Sequence, residues 1–301
     1  MDVFDPARMS WGHQHYDIPF IWNDLKTKGL NAVVAVIDTG IDKTHLDLIP
    51  NVHPGSKNFI GGPGDLSDTD GHGTRMAGII AGTGSHQVYG VAPEAKILIA
   101  RATPTQYGAD GNNFIEALKY ISLLPEVDVV SISYTLGDHP GFREAIQNCL
   151  NAGKIIVAAI GNQRDDELTE DPDSFPACYN TGNSNTGINE VLAIGAFDRQ
   201  KKLCSFSNWN RHLSFLSPGD ALLTANIGNS TKVIPGTSIA AAFTAGCLAL
   251  MVSYGRQHNK KPADYLEALL GTCDDVGPEI GFDVKSGFGM MNFRNAVSKI
   301  K

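Results

Sequence analysis

Three side chains that could carry out nucleophilic chemistry lie far apart in the chain. Asp38 ends the apolar run AVVAVID, His72 stands between two glycines in DGHGT, and Ser238 opens the run SIAAAFTAGCLALM. A serine hydroxyl becomes a nucleophile when a histidine takes its proton and a carboxylate orients that histidine. These three residue types therefore make a serine nucleophile a hypothesis to weigh against structural roles.

Each of the three residues also has a structural interpretation when it is taken alone. Asp38 could form an ordinary Asx turn, and the sequence DTG is also typical of aspartic peptidases. That class needs two such aspartates facing each other, whereas this chain has one DTG within an α/β pattern. A lone histidine is more often structural than catalytic, and Ser238 could simply cap a helix. The alternative for Ser238 is a nucleophile at a helix N-terminus, where N–H groups and the helix dipole stabilise negative charge.

Alternating strand and helix patterns would bring these residues to one place. Runs of apolar residues, most of them rich in β-branched types, predict strands that are covered on both faces. The predicted strands are Ala32–Asp38, Ala95–Arg101, Val127–Ser133, Lys154–Ile160 and Glu190–Phe197. Asn113–Leu124 and Gly141–Ala152 have the three-to-four spacing of a helix with one buried stripe. We therefore expect an α/β fold with a doubly wound, mostly parallel sheet, in which functional groups gather at the carboxyl ends of strands.

Four motifs over nearly the whole chain point to one family. Asn162 follows the strand KIIVAAI, where a side-chain amide could face a developing oxyanion. The segments VIDTGID, DGHGTRMAG, AAIGN and GTSIAAA resemble the four signatures of the subtilisin-like serine peptidases, in the family's order and spacing. The resemblance extends from about Trp11 to Asn295 and includes GVAPEAKI and SGFGMMN. It implies a subtilisin-like, three-layer α/β fold and a serine endopeptidase, a hydrolase that acts on peptide or protein substrates.

The resemblance also implies the roles of the site residues. His72 would take the proton from Ser238 as the hydroxyl attacks the scissile carbonyl, and would then protonate the leaving amine. Asp38 would fix the tautomer of His72 and stabilise its charged form. Asn162 and the backbone N–H of Ser238 would hold the oxyanion of the tetrahedral intermediate.

The wall of the pocket for the residue before the scissile bond departs from the family pattern. That wall usually reads Ser-Leu-Gly-Gly, and here it reads Ser133-Tyr134-Thr135-Leu136. The opposite wall, which ends at Gly161, stays small except at Ile160. We expect Thr135 and Leu136 to narrow or redirect the pocket. The alternative is a shifted loop that leaves the pocket open.

The helix after the nucleophile departs from the family as well. Ala242 and Phe243 stand where the family usually has proline and histidine. Losing the proline could be neutral in a helix that forms anyway, or it could give a roomier site in which amines compete with water. The alternatives to a general endopeptidase are therefore a substrate-specific processing peptidase or peptide ligase, and an inactive peptide-binding pseudo-enzyme.

Acidic residues raise the question of a cation. The loop after Asn162 carries a cluster of carboxylates, which predicts a solvated loop, a preference for basic substrates or a calcium site. The cluster comprises Asp165, Asp166, Glu167, Glu170, Asp171 and Asp173. Asp47 matches a family calcium ligand, but the nearby loop Gly82–Tyr89 looks short and lacks the usual asparagines. We therefore expect no required cofactor and assign no metal ligand, since calcium lacks a clear ligand set.

Composition bounds the remaining functions. The chain has 301 residues, 42% of them hydrophobic, and a formal net charge of −8, with no basic cluster that would suit nucleic acid. Its five cysteines are scattered, with no CxxC pair, and are expected to be free thiols rather than a disulfide framework or a zinc site. We find no secretory signal and no apolar run approaching the roughly 20 residues of a membrane span. We expect one peptidase domain over residues 1–301, a monomer, and a cytoplasmic location, with a secreted mature form as the alternative.

Overall fold

A seven-stranded parallel sheet organises the protein. The computed structural model describes residues 4–61, 64–165, 167–168, 171–179, 191–277 and 280–301. The strands are β1 (Val33–Asp38), β2 (Lys57–Asn58), β3 (Lys96–Arg101), β4 (Val129–Ile132), β5 (Ile155–Ala159), β6 (Val191–Phe197), β7 (Phe215–Pro218), β8 (Leu222–Asn226) and β9 (Ser230–Ile234). The order across the main sheet is β2-β3-β1-β4-β5-β6-β7, and β8 and β9 form a separate antiparallel hairpin.

The interior strands follow the hydrophobic pattern of the sequence. All five predicted strands are present with their ends shifted by no more than two residues, apart from Glu190, which lies outside the described residues. Every residue of β1, β4, β5 and β6 is buried, as expected for strands covered on both faces. The edge strands β2 and β7 were not predicted because two to four residues are too few to establish a period.

The helices pack against the sheet and against one another. The helices are α1 (Trp11–His15), α2 (Ile18–Leu25), α3 (His72–Ala81), α4 (Gly111–Ser122), α5 (Phe142–Asn151), α6 (Thr237–Gln257), α7 (Pro262–Leu270) and α8 (Phe293–Ile300). α4 packs on α5, α3 packs on α6, and α6 also contacts β4, β5, β6 and β7. The predicted three-layer α/β fold is confirmed, and both predicted helices begin and end within two residues of the expected positions.

Helix α6 corrects one expectation from the sequence. It has 21 residues and is apolar enough to pass for a membrane span, whereas no apolar run of that length was expected. Its most apolar window is 94% buried inside the protein. The helix is apolar all round because the sheet and neighbouring helices cover it, which is typical of a central core helix.

The strand order places a crevice at the carboxyl ends of β1 and β4. From β1 the chain moves to β3 on one side and later to β4 on the other, so the order of strands reverses at β1. Connections that leave in opposite directions open a crevice at such a switch point. Asp38 is the last residue of β1, and Ser133 directly follows β4.

The cysteines form no disulfide, as the sequence predicted. All five cysteines are free, and Cys149 and Cys247 are buried within α5 and α6. Burial raises the pKa of the Cys149 thiol to about 12, so this group acts as a small hydrophobic side chain rather than as a nucleophile.

Candidate active site

The carboxylate of Asp38 and the imidazole of His72 form a buried pair. The Nδ1 atom of His72 lies 2.8 Å from Oδ1 and 2.9 Å from Oδ2 of Asp38. Asp38 is fully buried, and the His72 side chain is 10% exposed. The backbone N–H of Thr39 also donates to Asp38, at 2.7 Å. Because the carboxylate accepts only, Nδ1 must carry the proton, and Nε2 remains to accept one from a nucleophile.

Close packing, rather than an open cleft, explains one of the glycines beside His72. A Cβ added at Gly73 would lie 2.3 Å from the carbonyl oxygen of Gly40 and 3.2 Å from the Cβ of Asp38. Any side chain at this position would push α3 away from the end of β1. No local sequence pattern indicated this backbone contact.

Asp68 organises the loop that leads into His72, although the sequence analysis did not identify it. Its carboxylate accepts hydrogen bonds from the backbone N–H of Gly71 at 2.7 Å and of Thr74 at 2.9 Å, and from Oγ1 of Thr74 at 2.6 Å. Burial by itself would raise the pKa of Asp68, but the hydrogen bonds from Thr74 and Gly71 outweigh it and lower the pKa below its usual value. An aspartate three residues before a glycine turn was the signal available in the sequence.

Ser238 lies in the first turn of α6, beside the same cleft. Gly236 precedes the helix as its N-cap, so Ser238 is not the capping residue. The Ser238 hydroxyl donates to the carbonyl oxygen of Ser133 at 3.1 Å, and the Ser133 hydroxyl donates to the carbonyl oxygen of Ser238 at 3.0 Å. Within the described part of the chain no hydrogen bond joins this hydroxyl to His72. The reciprocal pair instead fixes the start of α6 against the end of β4.

The side-chain amide of Asn162 has a defined orientation. Its Oδ1 accepts from the backbone N–H and from the hydroxyl of Thr237, both at 2.9 Å. Because Oδ1 is occupied, the donor Nδ2 is left for a ligand in the cleft, which Asn162 lines together with His72 and Ser238. In the first turn of α6 the N–H of Thr237 donates to Asn162, and those of Ile239 and Ala240 donate to the carbonyl oxygen of Gly236. Among the described residues this leaves the N–H of Ser238 as the further donor at the same place.

Asn208 supports this donor group from behind. Its backbone N–H donates to the carbonyl oxygen of Gly161 at 3.0 Å, and its Oδ1 accepts from the N–H of Gln163 at 2.7 Å. Asn208 is buried and lies far from Asn162 in sequence. It therefore fixes the backbone on either side of Asn162, and no local sequence signal indicated this role.

Two clefts meet at these side chains. One has a volume of about 510 Å³ and the other about 210 Å³. His72, Asn162 and Ser238 line both, so the clefts lie on either side of the reacting groups. An extended chain passing through both would present an internal peptide bond to Ser238.

Four of the five predicted substrate-binding residues line the larger cleft, namely Ser133, Tyr134, Thr135 and Gly161. Leu136 does not belong to that lining among the described residues, and this corrects the expectation that it narrows the pocket. Its backbone pairs with Phe175 through hydrogen bonds of 2.8 and 3.0 Å, and its side chain packs against the core. The chain therefore turns away from the cleft after Thr135.

Tyr134 contacts the histidine directly. Its ring lies edge-on to that of His72, with centroids 5.3 Å apart, and packs at the same distance on Phe114. The Tyr134 hydroxyl donates to the carbonyl oxygen of Thr105 at 3.1 Å. Tyr134 thus serves both as a cleft wall and as a support for the imidazole.

The residues that replace the family's proline and histidine are remote from substrate. Ala242 and Phe243 are fully buried, and the ring of Phe243 packs against His13 and Tyr16. Neither residue lines the two clefts. The hypothesis of a roomier nucleophile site therefore gains no support from these substitutions.

The acidic loop is only partly solvated. Asp166 and Glu170 lie outside the described residues. Asp171 is buried, and its carboxylate accepts from the backbone N–H groups of Asp165 and Trp209 at 2.9 and 2.8 Å. Asp171 therefore closes the loop onto the body of the protein instead of facing solvent.

Asp47, the candidate calcium ligand, is saturated by protein donors. It is fully buried and accepts hydrogen bonds from His86, Gln87 and Val88 N–H groups at 2.7 to 3.1 Å and from the Thr83 hydroxyl at 2.9 Å. Burial alone would raise its pKa, but these hydrogen bonds outweigh it and lower the pKa. The carboxylate of Asp47 thus holds the segment 83–88 through hydrogen bonds.

Comparisons with known proteins find relatives of one family. The model of the subtilase family matches residues 29–289. The major intracellular serine protease of Bacillus subtilis (strain 168) is 39% identical over 262 residues, which cover 84% of this chain and 77% of that protein. The intracellular serine protease of Paenibacillus polymyxa is 34% identical over 248 residues, covering 80% and 72%. The thermophilic serine proteinase of Bacillus sp. (strain AK1) is 30% identical over 292 residues, covering 96% and 67%.

Proposed function

Because the chain belongs to the subtilase family and is a serine endopeptidase, we propose that Ser238, His72, Asp38 and Asn162 carry out its chemistry. The observation that carries the assignment is the buried contact between His72 Nδ1 and both carboxylate oxygens of Asp38. This contact leaves Nε2 of the imidazole as the base beside a serine that opens a helix.

Acylation begins when the Ser238 hydroxyl turns from the carbonyl oxygen of Ser133 towards His72. The hydroxyl oxygen attacks the scissile carbonyl while Nε2 of His72 takes its proton, and Asp38 stabilises the imidazolium that forms. The imidazolium then gives the proton to the leaving amine. Water, activated by the same imidazole, hydrolyses the acyl-enzyme on Ser238 and restores the hydroxyl.

The negative charge of the tetrahedral intermediate is held by two donors. Nδ2 of Asn162 and the N–H of Ser238 face the region where the carbonyl oxygen becomes an oxyanion. Thr237 fixes the Asn162 amide before substrate arrives, so little reorganisation is needed during the reaction. Such preorganised donors stabilise the transition state more than the ground state.

Substrate selection is assigned to the larger cleft. Thr135 replaces a glycine of the usual wall, so we propose a narrower pocket that prefers smaller side chains before the cut. Ser133, Tyr134 and Gly161 complete the lining. The two clefts on either side of Ser238 favour an internal peptide bond over a terminal one.

We also propose the compartment, the oligomeric state and the partners of the enzyme. Two of the relatives above are named as intracellular, and the five free thiols suit a reducing compartment, so we propose a cytoplasmic enzyme. We propose that residues 1–301 act as one domain and as a monomer, without nucleic acid or membrane partners. The saturated carboxylate of Asp47 supports catalysis that needs no calcium.

A serine-directed fluorophosphonate probe tests this assignment. The wild-type chain should be labelled and should cleave a protein substrate, whereas Ser238→Ala should lose both the label and the cleavage. Ser122→Ala, at the end of α4 and outside both clefts, is the matched control and should keep both. Labelling that survives in Ser238→Ala would overturn the assignment of the nucleophile, and absent labelling of the wild type would favour the pseudo-enzyme.

A further inference from the structure

A cluster of three metal-ligating side chains lies outside the active site. A carboxylate oxygen of Asp173, the sulfur of Cys178 and a ring nitrogen of His212 all lie within 4.8 Å of one another. Oδ1 of Asp173 is 3.3 Å from Nε2 of His212. Cys178 is buried and His212 is 9% exposed. Asp173 and Cys178 lie in the segment that follows Asn162, whereas His212 lies just before β7. Folding of the chain therefore brings them together.

We propose that Asp173, Cys178 and His212 bind one zinc ion. A thiolate, an imidazole and a carboxylate form a ligand set that suits zinc, whereas calcium and magnesium need oxygen ligands alone. Three protein ligands leave a fourth tetrahedral position for water. On binding, a metal–sulfur bond forms and the Cys178 S–H bond breaks, with the proton released to solvent.

Neighbouring groups donate hydrogen bonds to two of these ligands. The backbone N–H of Ser174 donates to the sulfur of Cys178 at 2.9 Å and fixes the position of that sulfur. The guanidinium of Arg211 donates to both oxygens of Asp173 at 3.2 Å and thereby orients that carboxylate. One carboxylate oxygen can bind the metal while the other keeps the arginine, as outer partners of metal ligands commonly do.

The position of the cluster predicts what the ion would stabilise. Phe175 lies between Asp173 and Cys178 and pairs with Leu136, at the end of the pocket wall. The hydroxyl of Tyr179, next to Cys178, donates to Asp138 at 2.8 Å. A zinc ion would therefore join the acidic loop to the segment before β7 and thereby hold the wall of the substrate cleft. This role is structural and is separate from the chemistry at Ser238.

Cobalt is the probe for this site because a cobalt–thiolate bond absorbs in the near ultraviolet. The full chain carrying Ser238→Ala, which prevents self-cleavage, is treated with a phosphine reductant and titrated with Co²⁺. We expect one Co²⁺ per chain, a sulfur-to-cobalt band, and displacement of the cobalt by Zn²⁺. Zn²⁺ should also raise the thermal unfolding temperature.

Variants assign the signal to these residues. Cys178→Ser should abolish the band, and Asp173→Asn and His212→Gln should weaken Co²⁺ binding by about tenfold or more. Cys273→Ser removes a thiol outside the cluster and should keep the band. Circular dichroism checks that each variant is folded, and Asp173→Asn tests a partly exposed ligand if Cys178→Ser fails to fold. Absence of the band in the parent chain, or its persistence in Cys178→Ser, would overturn the proposal, and neither result depends on peptidase activity.

Discussion

Asn162 shows how a single exposed side chain can be held in one orientation. An exposed asparagine ordinarily samples several orientations, and its amide can turn to face either way. Here both the N–H and the hydroxyl of Thr237 hold Oδ1, so the amide presents its donor to the cleft. Asn208 fixes the backbone on both sides of Asn162. The donor is thus positioned by residues that never touch substrate.

Replacing Asn162 by alanine should slow turnover without greatly weakening substrate binding. Loss of one oxyanion donor costs about 10²–10³ in kcat, or roughly 3–4 kcal/mol of transition-state stabilisation, and KM should change little. Steady-state kinetics on a peptide substrate measures both quantities. Asn151→Ala, an exposed change at the end of α5, is the control and should match wild type. A rise in KM with kcat unchanged would show that Asn162 binds substrate instead.

At the scale of elements, the active site depends on how α3 joins the end of β1. Asp68 accepts hydrogen bonds from the N–H groups of Gly71 and Thr74 at the start of α3. Gly73 allows the first turn of this helix to contact the backbone at Gly40. The imidazole of His72 is positioned by these backbone contacts as well as by Asp38. Since the Asp68 pKa is lower in the folded chain, its ionised form stabilises the fold.

The contribution of Asp68 should be present at neutral pH and lost in acid. It is complete above the usual aspartate pKa of about 3.9 and disappears as the pH falls through the lowered folded pKa. Asp68→Asn should lower the free energy of unfolding at pH 7 by roughly 1.5–3 kcal/mol, because hydrogen bonds to a charged group are weakened. The variant should also lose less stability than wild type on further acidification.

Urea unfolding at a series of pH values measures both effects of Asp68→Asn. Glu94→Gln removes an exposed carboxylate and is the matched control, with the wild-type acid dependence expected. Identical acid slopes for wild type and Asp68→Asn would show that Asp68 does not supply this stability.

At the scale of the whole molecule, we expect the net charge and the two clefts to influence which peptides bind. The net charge of −8 gives the protein a negative field in neutral solution, and two clefts open on either side of Ser238. A negative field attracts basic chains and repels acidic ones before any specific contact forms. Salt weakens this attraction because it screens charges beyond about 10 Å.

Cleavage of a lysine-rich peptide should therefore slow as salt is added. We expect kcat/KM for this peptide to fall several-fold from low to high ionic strength, mainly through KM, because steering acts on encounter. A glutamate-rich peptide with the same cleavage site should show the opposite trend, and a neutral one should be nearly insensitive. Equal salt dependence for all three peptides would contradict steering by net charge.

The sequence alone predicted the layout of the fold and the candidate reacting groups. Continuous β-branched runs such as VVAVID occur where both faces of a strand are covered, so the five interior strands of the sheet were predictable. The order and spacing of four motifs identified Asp38, His72, Ser238 and Asn162 as candidates before any coordinates. These features are local in the chain, which is why pattern and motif reach them.

Tertiary structure decided which distant partner each group meets. Only coordinates show that the Ser238 hydroxyl rests on Ser133, that Leu136 leaves the cleft to pair with Phe175, and that protein donors saturate Asp47. The convergence of Cys178 with His212 likewise depends on a loop folding back on the sheet. Hydrogen bonds and packing between segments many residues apart depend on three-dimensional neighbours, and no local period or motif encodes them.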